Sequence, residues 1–446
     1  MAQRIDVEAL IDNQKFGAFS LRVVLLALLA LLIDGYDVQV MAFAAPSLLK
    51  TWHLQRAAFA PVFSAGLVGI AFGAPIFGWI GDRIGRKASI VIGSIAYGLL
   101  SLSCLLARDL QTLMILRFLM GVGMGGVFPN AIAIAAETAP RRLRAGMASV
   151  ISIGITIGGV IPGLVVAQLP PGPVFRQLFL VGGLAPLALA ALIALALPES
   201  VAFLIQRGGQ AKRALKILRQ IDPKLEAGPD AELALPPRPE GEPVGLAALF
   251  AGQLKLVTPL LWVMYSATLL SIFMLTSWMP LLLEASGFSA KGAAATNSLF
   301  QVGGIVGGVL VALLLGRLGV RLVAALFVIC LLAVAVAARA NLPDAGLAVA
   351  IFACGFGLVG AQGALNGTAG LAYPTPARAR GLGMGLGVGR IGSVIGPLLA
   401  GAMVAAGVTS ARDLFLLPLV PLALGAVAAF IVVPRLDLRH AAGSKA

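Results

Sequence analysis

The chain has 446 residues, of which 59% are hydrophobic and 12% charged, and its formal net charge is +14. Soluble domains carry about 25% charged residues, so this composition excludes a soluble fold of this size. The basic residues lie between apolar blocks rather than in a basic stripe, which excludes a nucleic-acid-binding surface as their explanation.

Apolar blocks of bilayer length predict twelve transmembrane helices. The first six lie near residues 22–41, 58–80, 88–107, 111–135, 146–168 and 178–197. The last six lie near 256–283, 291–315, 321–338, 346–370, 381–406 and 412–433. We therefore expect an all-α membrane protein with an N-terminal six-helix bundle (1–197), a central loop (198–255) and a C-terminal six-helix bundle (256–446).

Most of the 33 lysines and arginines fall in segments on the same side of the predicted bundle as the N-terminus. Because lysine and arginine are enriched in cytoplasmic loops, we expect both termini and the central loop to be cytoplasmic. The sequence contains neither a phosphate-binding loop nor a catalytic dyad nor metal-ligand spacing. We therefore expect no enzyme activity, no cofactor and no metal.

The two halves repeat one pattern. Gly81-Asp-Arg-Ile-Gly-Arg-Lys87 follows the second predicted helix, and Leu315-Gly-Arg-Leu-Gly-Val-Arg321 follows the eighth. Asn130, Arg142 and Arg144 are matched in the second half by Asn366, Arg378 and Arg380. Two parallel six-helix repeats are typical of secondary carriers.

Two aspartates in the first predicted helix indicate the chemistry of the protein. Asp34 and Asp37 are three residues apart and share a helix face. A charge near the middle of a bilayer costs at least ~3 kcal/mol, and ionisable residues there usually mark ion or substrate paths. We expect these aspartates to bind and release a coupling proton. The alternative is a structural pair held by an arginine and backbone amides.

Two arginines lie within predicted helices. Arg117 is at a depth similar to that of Asp37, so it is a candidate partner that protonation would release; a static salt bridge is the alternative. Arg390 needs a carboxylate partner, because its guanidinium fork matches a carboxylate through two hydrogen bonds. That partner is either an aspartate of this protein or an anionic substrate.

Other polar residues are candidates for substrate binding. Gln362 and Asn366 lie one turn apart in the tenth predicted helix, where they either line the solute path or bond across helices. Tyr36 and Asn130 complete the predicted substrate-binding set.

Charged residues at the predicted cytoplasmic rim are candidates for a gate. Arg86 and Glu137 are expected to pair beside Asp82 and hold an inner gate closed. Arg378 and Arg380, the second-half counterparts of Arg142 and Arg144, complete the predicted gating set. The loop 315–321 lacks an acidic residue matching Asp82, so a gate there should be weaker or built differently. A simple topology signal explains the basic residues of this loop but not Asp82.

These motifs resemble the major facilitator superfamily: the loop after the second helix, Arg117-x-x-x-Gly121 and Leu197-Pro-Glu-Ser200. Within it, Asp34-Gly-Tyr-Asp37, Ala45-Pro-Ser-Leu48, and Tyr373-Pro-Thr375 with Arg390 resemble the aromatic acid:proton symporter family. The resemblance implies a monomeric carrier of the bacterial inner (plasma) membrane. It would import benzoate, hydroxybenzoates or protocatechuate with protons by alternating access.

Three alternatives stay open. Gly392-x-x-x-Gly396-Pro397, with Gly158 and Pro162-Gly163, loosely resembles the glycine-proline motif of efflux antiporters, which keeps a drug or metabolite:proton antiporter as a hypothesis. A proton-coupled importer of another organic acid is the second. A transporter-like receptor is the third, and the absence of a soluble signalling domain argues against it.

Overall fold

The computed structural model describes residues 4–14, 16–169, 172–208, 210–225, 228, 232–235, 245–339, 342–408 and 410–443. Among these residues, twelve helices are long and apolar enough to span a membrane, which confirms the predicted number. They are α1 (Ala18–Trp52), α2 (Arg56–Ile84), α3 (Arg86–Leu106), α4 (Leu110–Glu137), α5 (Arg141–Gln168), α6 (Val174–Ala196), α7 (Leu254–Ala285), α8 (Ala290–Leu318), α9 (Arg321–Ala338), α10 (Asp344–Ala372), α11 (Arg380–Ala405) and α12 (Arg412–Leu436).

The helices form two halves with the same internal pairing. In the first half α1 packs against α5, α2 against α4, and α3 against α6. In the second half α7 packs against α11, α8 against α10, and α9 against α12. Each pair recurs six helices later, so the predicted arrangement of two parallel six-helix repeats is confirmed.

The first helix is much longer than predicted. It continues for 35 residues, to Trp52, instead of ending near residue 41. The added turns contain Pro46, which lacks an amide donor, but Ala44, Ala45 and Leu48 are almost completely buried there. Tertiary packing therefore sustains the helix, and Asp37 lies 15 residues before its end, deeper than the sequence suggested.

The fourth helix is interrupted at Gly125 and Gly126, between segments Leu110–Met124 and Val127–Glu137. A Cβ atom on Gly125 would lie 2.5 Å from the backbone nitrogen of Ala74, and one on Gly126 would overlap Phe77. Both neighbours belong to α2. These glycines therefore allow close contact between two membrane helices.

Contacts between the halves define which end of the bundle is closed. We call the end that carries both termini and the central segment the terminal end, and the opposite end the far end. At the far end, Lys50 Nζ of α1 lies 2.7 Å from Glu284 Oε2 of α7. The Ser64 hydroxyl of α2 donates to the carbonyl oxygen of Val394 in α11, at 2.8 Å. These contacts hold the two halves together at the far end.

A small structure at the terminal end joins the N-terminal segment to the central segment. Strand β1 (Arg4–Asp6) pairs in parallel with β2 (Glu232–Ala234), and the short helix Val7–Asn13 packs against Val201–Gln206 and Ala211–Ile221. Their shared apolar cluster consists of Val7, Ile11, Val201, Leu204, Ala214 and Leu218. The sequence predicted only a loop in this region, because its helices are shorter than a membrane span.

Candidate functional site

Asp34 and Asp37 lie inside the first half with incomplete polar contacts. Asp34 is 7% exposed and Asp37 is fully buried. Among the described residues, Asp34 Oδ1 and both carboxyl oxygens of Asp37 have no hydrogen-bond partner. A buried carboxylate in such surroundings is costly unless a cation or a proton neutralises it. Each aspartate therefore depends on a nearby arginine or on protonation.

Arg390 is the cation that acts on Asp34. The two groups interact electrostatically, although Asp34 is in α1 of the first half and Arg390 is in α11 of the second. The described residues show no direct ion pair between them, and Arg390 is only partly buried. The Arg390 guanidinium therefore retains N–H groups that can donate hydrogen bonds to the oxygen atoms of an anion.

Arg117 lies beside Asp37, and its hydrogen bond is to the backbone of Asp37 rather than to the carboxylate. Its Nη2 donates to the carbonyl oxygen of Asp37, at 3.5 Å. Arg117 Nε and Nη1 have no hydrogen-bond partner among the described residues. The guanidinium and the carboxylate interact electrostatically without a direct ion pair.

A small cavity adjoins Arg117. Its volume is about 20 Å³, and it is lined by residues of α1, α2, α4 and α7. Gly66 lies next to the guanidinium, since a Cβ atom there would lie 3.4 Å from Arg117 Nη2, an ordinary contact distance. A cavity of this size has room for one water molecule, and Arg117 and Ser277 are the polar side chains among the residues that line it.

Two residues of α10 were predicted to bind substrate, and one of them contacts α7. Asn366 Oδ1 accepts a hydrogen bond from the Tyr265 hydroxyl, at 2.9 Å, and Gln362 Oε1 is buried without a partner among the described residues. Asn366 is exposed although it faces α7 rather than the lipid side. Its exposure shows that solvent reaches this residue beside α7.

Two other predicted substrate-binding residues form hydrogen bonds elsewhere. The Tyr36 hydroxyl donates to the carbonyl oxygen of Leu178 in α6, at 2.9 Å. Asn130 Nδ2 donates to the carbonyl oxygens of Phe77 and Gly126 and to Ser89 Oγ. The structure therefore does not bring the Asn130 amide together with Asp34 and Arg390. Asn130 instead joins α4 to α2 and α3, unlike its repeat counterpart Asn366.

The predicted gate residues meet within the first half. Arg86 Nη1 lies 2.6 Å from Asp82 Oδ1, and Arg86 Nε lies 3.6 Å from Glu137 Oε1. These pairs join the α2–α3 loop to the end of α4 rather than to the second half. They are present while the far end is closed. Arg378 and Arg380 lie exposed at the terminal end of α11.

Sequence reasoning missed the role of Glu199 and of several polar residues inside the helices. Glu199 Oε1 accepts a hydrogen bond from the backbone amide of Lys87, at 3.2 Å, which ties the start of α3 to the end of α6. Its signal was the Leu197-Pro-Glu-Ser200 motif. Buried polar residues of α1 and α8, among them Gln39 and Gln301, interrupt apolar runs. These glutamines form no sequence motif, because α1 and α8 come together only when the chain folds.

Comparison with known proteins identifies the family. The model of the Major Facilitator Superfamily matches residues 27–386 and 261–446. A gallate transporter of Pseudomonas putida is 36% identical over 404 residues, which cover 90% of each chain. The 4-hydroxybenzoate transporter PcaK of Pseudomonas aeruginosa is 34% identical, with 91% of each chain covered. A benzoate transport protein of Acinetobacter baylyi is 29% identical over 98% of this chain and 94% of its own.

Solved structures show the same fold. The xylose transporter XylE of Escherichia coli, in a partially occluded inward-open conformation, superposes with a TM-score of 0.71. It is 17% identical, with 94% of this chain and 98% of its own chain covered. A bacterial homologue of the human lysosomal transporter Spinster gives a TM-score of 0.70 at 18% identity, over 95% of this chain and 99% of its own.

These relatives are transporters, which confirms the prediction of a transporter rather than an enzyme. The twelve spans make the chain a multi-pass membrane protein. The chain therefore belongs to the major facilitator superfamily, in the branch that contains the gallate, 4-hydroxybenzoate and benzoate transporters.

Proposed function

We propose that this protein is a proton-coupled secondary transporter that imports small aromatic carboxylates by alternating access. The observation that carries the proposal is the pair Asp34 and Arg390, opposite charges on opposite halves without a direct ion pair. The names of its relatives supply the substrate class: gallate, 4-hydroxybenzoate and benzoate.

Arg390 binds the carboxylate of the substrate. A guanidinium forms two parallel hydrogen bonds with a carboxylate, and Arg390 is partly exposed, so its guanidinium is accessible to a small anion. The bound anion competes with Asp34 for the positive charge of Arg390, so the Asp34 carboxylate is less well neutralised by the arginine. A proton on Asp34 then completes the neutralisation, so substrate and proton occupy the site together.

Asp37 and Arg117 form the second part of the coupling site. Asp37 is one turn beyond Asp34 on α1 and interacts electrostatically with it and with Arg117. A proton on Asp37 weakens its attraction to Arg117 and loosens α1 from α4. The exchange of protons at both aspartates thereby changes how α1 packs in the first half.

The energetics favour symport. Entry of an anion alone is opposed by an inside-negative potential, at about 2.3 kcal/mol per charge per 100 mV. One co-imported proton removes this cost, and a second adds the potential as a driving force.

In this proposal the halves 1–197 and 256–446 move as rigid units about the site, linked by the cytoplasmic segment 198–255. The terminal end is the cytoplasmic side of a bacterial inner membrane, and the far end is the outer side. The structure then corresponds to a conformation that is closed outward. The protein acts as a monomer, because each chain contains both halves of the site.

Uptake by reconstituted vesicles tests the proposal. Labelled 4-hydroxybenzoate should accumulate when the interior is made alkaline, and a protonophore should abolish the accumulation. Unlabelled benzoate and gallate should compete, whereas neutral benzamide should not. Accumulation without a pH gradient, or strong competition by benzamide, would contradict the proposal. Accumulation driven by an acidic interior would favour the antiporter alternative.

A further inference from the structure

Two glutamines from opposite halves of the molecule both lie next to Gly159. Gln39 belongs to α1 and Gln301 to α8, and each is 7% exposed. A Cβ atom on Gly159 of α5 would lie 2.8 Å from Gln301 Nε2 and 3.3 Å from Gln39 Cγ. The missing side chain of Gly159 therefore leaves space that the side chains of Gln39 and Gln301 both border.

The two carboxamides are available to a ligand. Neither Gln39 nor Gln301 makes a side-chain hydrogen bond to the residues that the structure describes, although both are nearly buried. Buried polar side chains usually have a partner. Each carboxamide offers two donor hydrogens and one acceptor oxygen. Together they can serve both the hydrogen and the oxygen of a hydroxyl group.

Their position relative to the charged pair matches the length of a small aromatic acid. Gln39 lies five residues beyond Asp34 on α1, about 7.5 Å toward the far end at 1.5 Å per residue. This displacement is comparable to the span of a benzene ring that carries a substituent at each end. A substrate whose carboxylate lies at Arg390 therefore brings a ring substituent to the level of the glutamines.

We propose that Gln39 and Gln301 determine specificity for hydroxylated aromatic carboxylates by hydrogen-bonding a ring hydroxyl. This inference rests on the proposed function and adds to it the residues that select for a ring hydroxyl. A site built to hydrogen-bond a hydroxyl favours the hydroxylated acid over the analogue that lacks the hydroxyl, because its own polar groups are left unpaired with that analogue. Since the glutamines come from opposite halves, the hydroxyl also links the halves while the far end is closed.

The test compares two substrates in the same vesicles. Uptake of 4-hydroxybenzoate and of benzoate is measured for the wild type and for Gln39→Met and Gln301→Met, which keep side-chain length and volume. We expect each variant to reduce the ratio of kcat/KM for 4-hydroxybenzoate to that for benzoate by about tenfold, the loss of one or two net hydrogen bonds. Benzoate uptake should persist.

A matched control and a steric variant sharpen the test. Gln111 is an exposed glutamine at the far end of α4, so Gln111→Met should leave the ratio unchanged. Gly159→Ala places a methyl group against the Gln301 amide, and it should lower the ratio in the same direction as Gln301→Met. Calorimetric titration of each purified variant with both acids provides a readout that does not require turnover.

The outcomes separate this inference from the proposed function. If the glutamine variants slow both substrates equally, or bind both equally weakly, the glutamines only close the interface and the inference is overturned. An unchanged ratio in correctly folded variants overturns it as well, while the proposed function stands. If the wild type transports neither acid, the proposed function fails, and this inference with it.

Discussion

Asp34 of α1 and Arg390 of α11 carry opposite charges on opposite halves of the molecule, and they interact electrostatically without a direct ion pair. A direct pair would satisfy both groups and leave no site for an anion. Because the pair is incomplete, a substrate carboxylate and a proton can complete it together. This arrangement makes the occupancy of the site depend on both halves.

The first prediction concerns the guanidinium of Arg390. Arg390→Lys retains the charge but loses the two-pronged geometry, so we expect the affinity for 4-hydroxybenzoate to fall by about tenfold or more, as for the loss of a charge-assisted hydrogen bond. Calorimetry on purified protein measures it, with benzamide as a neutral control ligand. Equal affinity of wild type and variant for 4-hydroxybenzoate would show that Arg390 does not bind the substrate carboxylate.

The second prediction concerns Asp37 and Arg117. Arg117→Gln leaves a buried carboxylate without its cation, which should destabilise the protein by about 3–5 kcal/mol. The double variant Asp37→Asn/Arg117→Gln has no buried unpaired charge at this position, so it should recover most of that stability. Thermal unfolding in detergent compares the three proteins. A double variant no more stable than Arg117→Gln would show that the two side chains are not coupled.

The third prediction concerns Asn297 of α8. Its side chain is 1% exposed, and both its amide atoms lack a partner among the described residues. An apolar side chain removes this cost, so Asn297→Leu should stabilise the conformation with a closed far end by about 1–3 kcal/mol. The melting temperature should rise while turnover falls, because leaving this conformation becomes harder. A variant that melts lower and transports faster would contradict the prediction.

The fourth prediction concerns the α2–α3 loop. The ion pair of Asp82 with Arg86 is largely exposed on the Asp82 side, so it contributes at most about 1 kcal/mol to stability. Asp82→Asn should therefore leave the fold intact. We expect it to slow transport without weakening substrate binding, because it loosens the α2–α3 loop at the terminal end and lies outside the substrate site. Arg83→Gln is the matched control, because Arg83 stacks on Trp79, with its Cζ 4.2 Å from the ring centroid. Unchanged turnover in Asp82→Asn would show that this loop has no role in the conformational cycle.

The number and pairing of the helices could be predicted from sequence because each span must be apolar over a bilayer's thickness. The end of α1 could not, because residues 42–49 include Pro46 and are held in a helix by tertiary packing. The small structure at the terminal end was missed for the opposite reason. Its apolar positions, such as Ile11 and Leu218, are far apart in sequence and form one cluster only after folding.

The candidate site was predictable to the extent that charges in apolar helices are rare. Asp34, Asp37, Arg117 and Arg390 stood out for that reason, and the structure brings them together in two groups. Sequence symmetry was less informative, because the equivalent Asn130 and Asn366 have different partners.

The external pH of lightly buffered vesicles without any imposed gradient tests the central claim of proton-coupled import most directly. Addition of 4-hydroxybenzoate at neutral pH should make the medium more alkaline as protons enter with the anion. Asp34→Asn should abolish this signal while the variant still inserts and still binds the acid. A medium that becomes more acidic, or uptake of the labelled acid with no pH change in the wild type, would contradict proton symport.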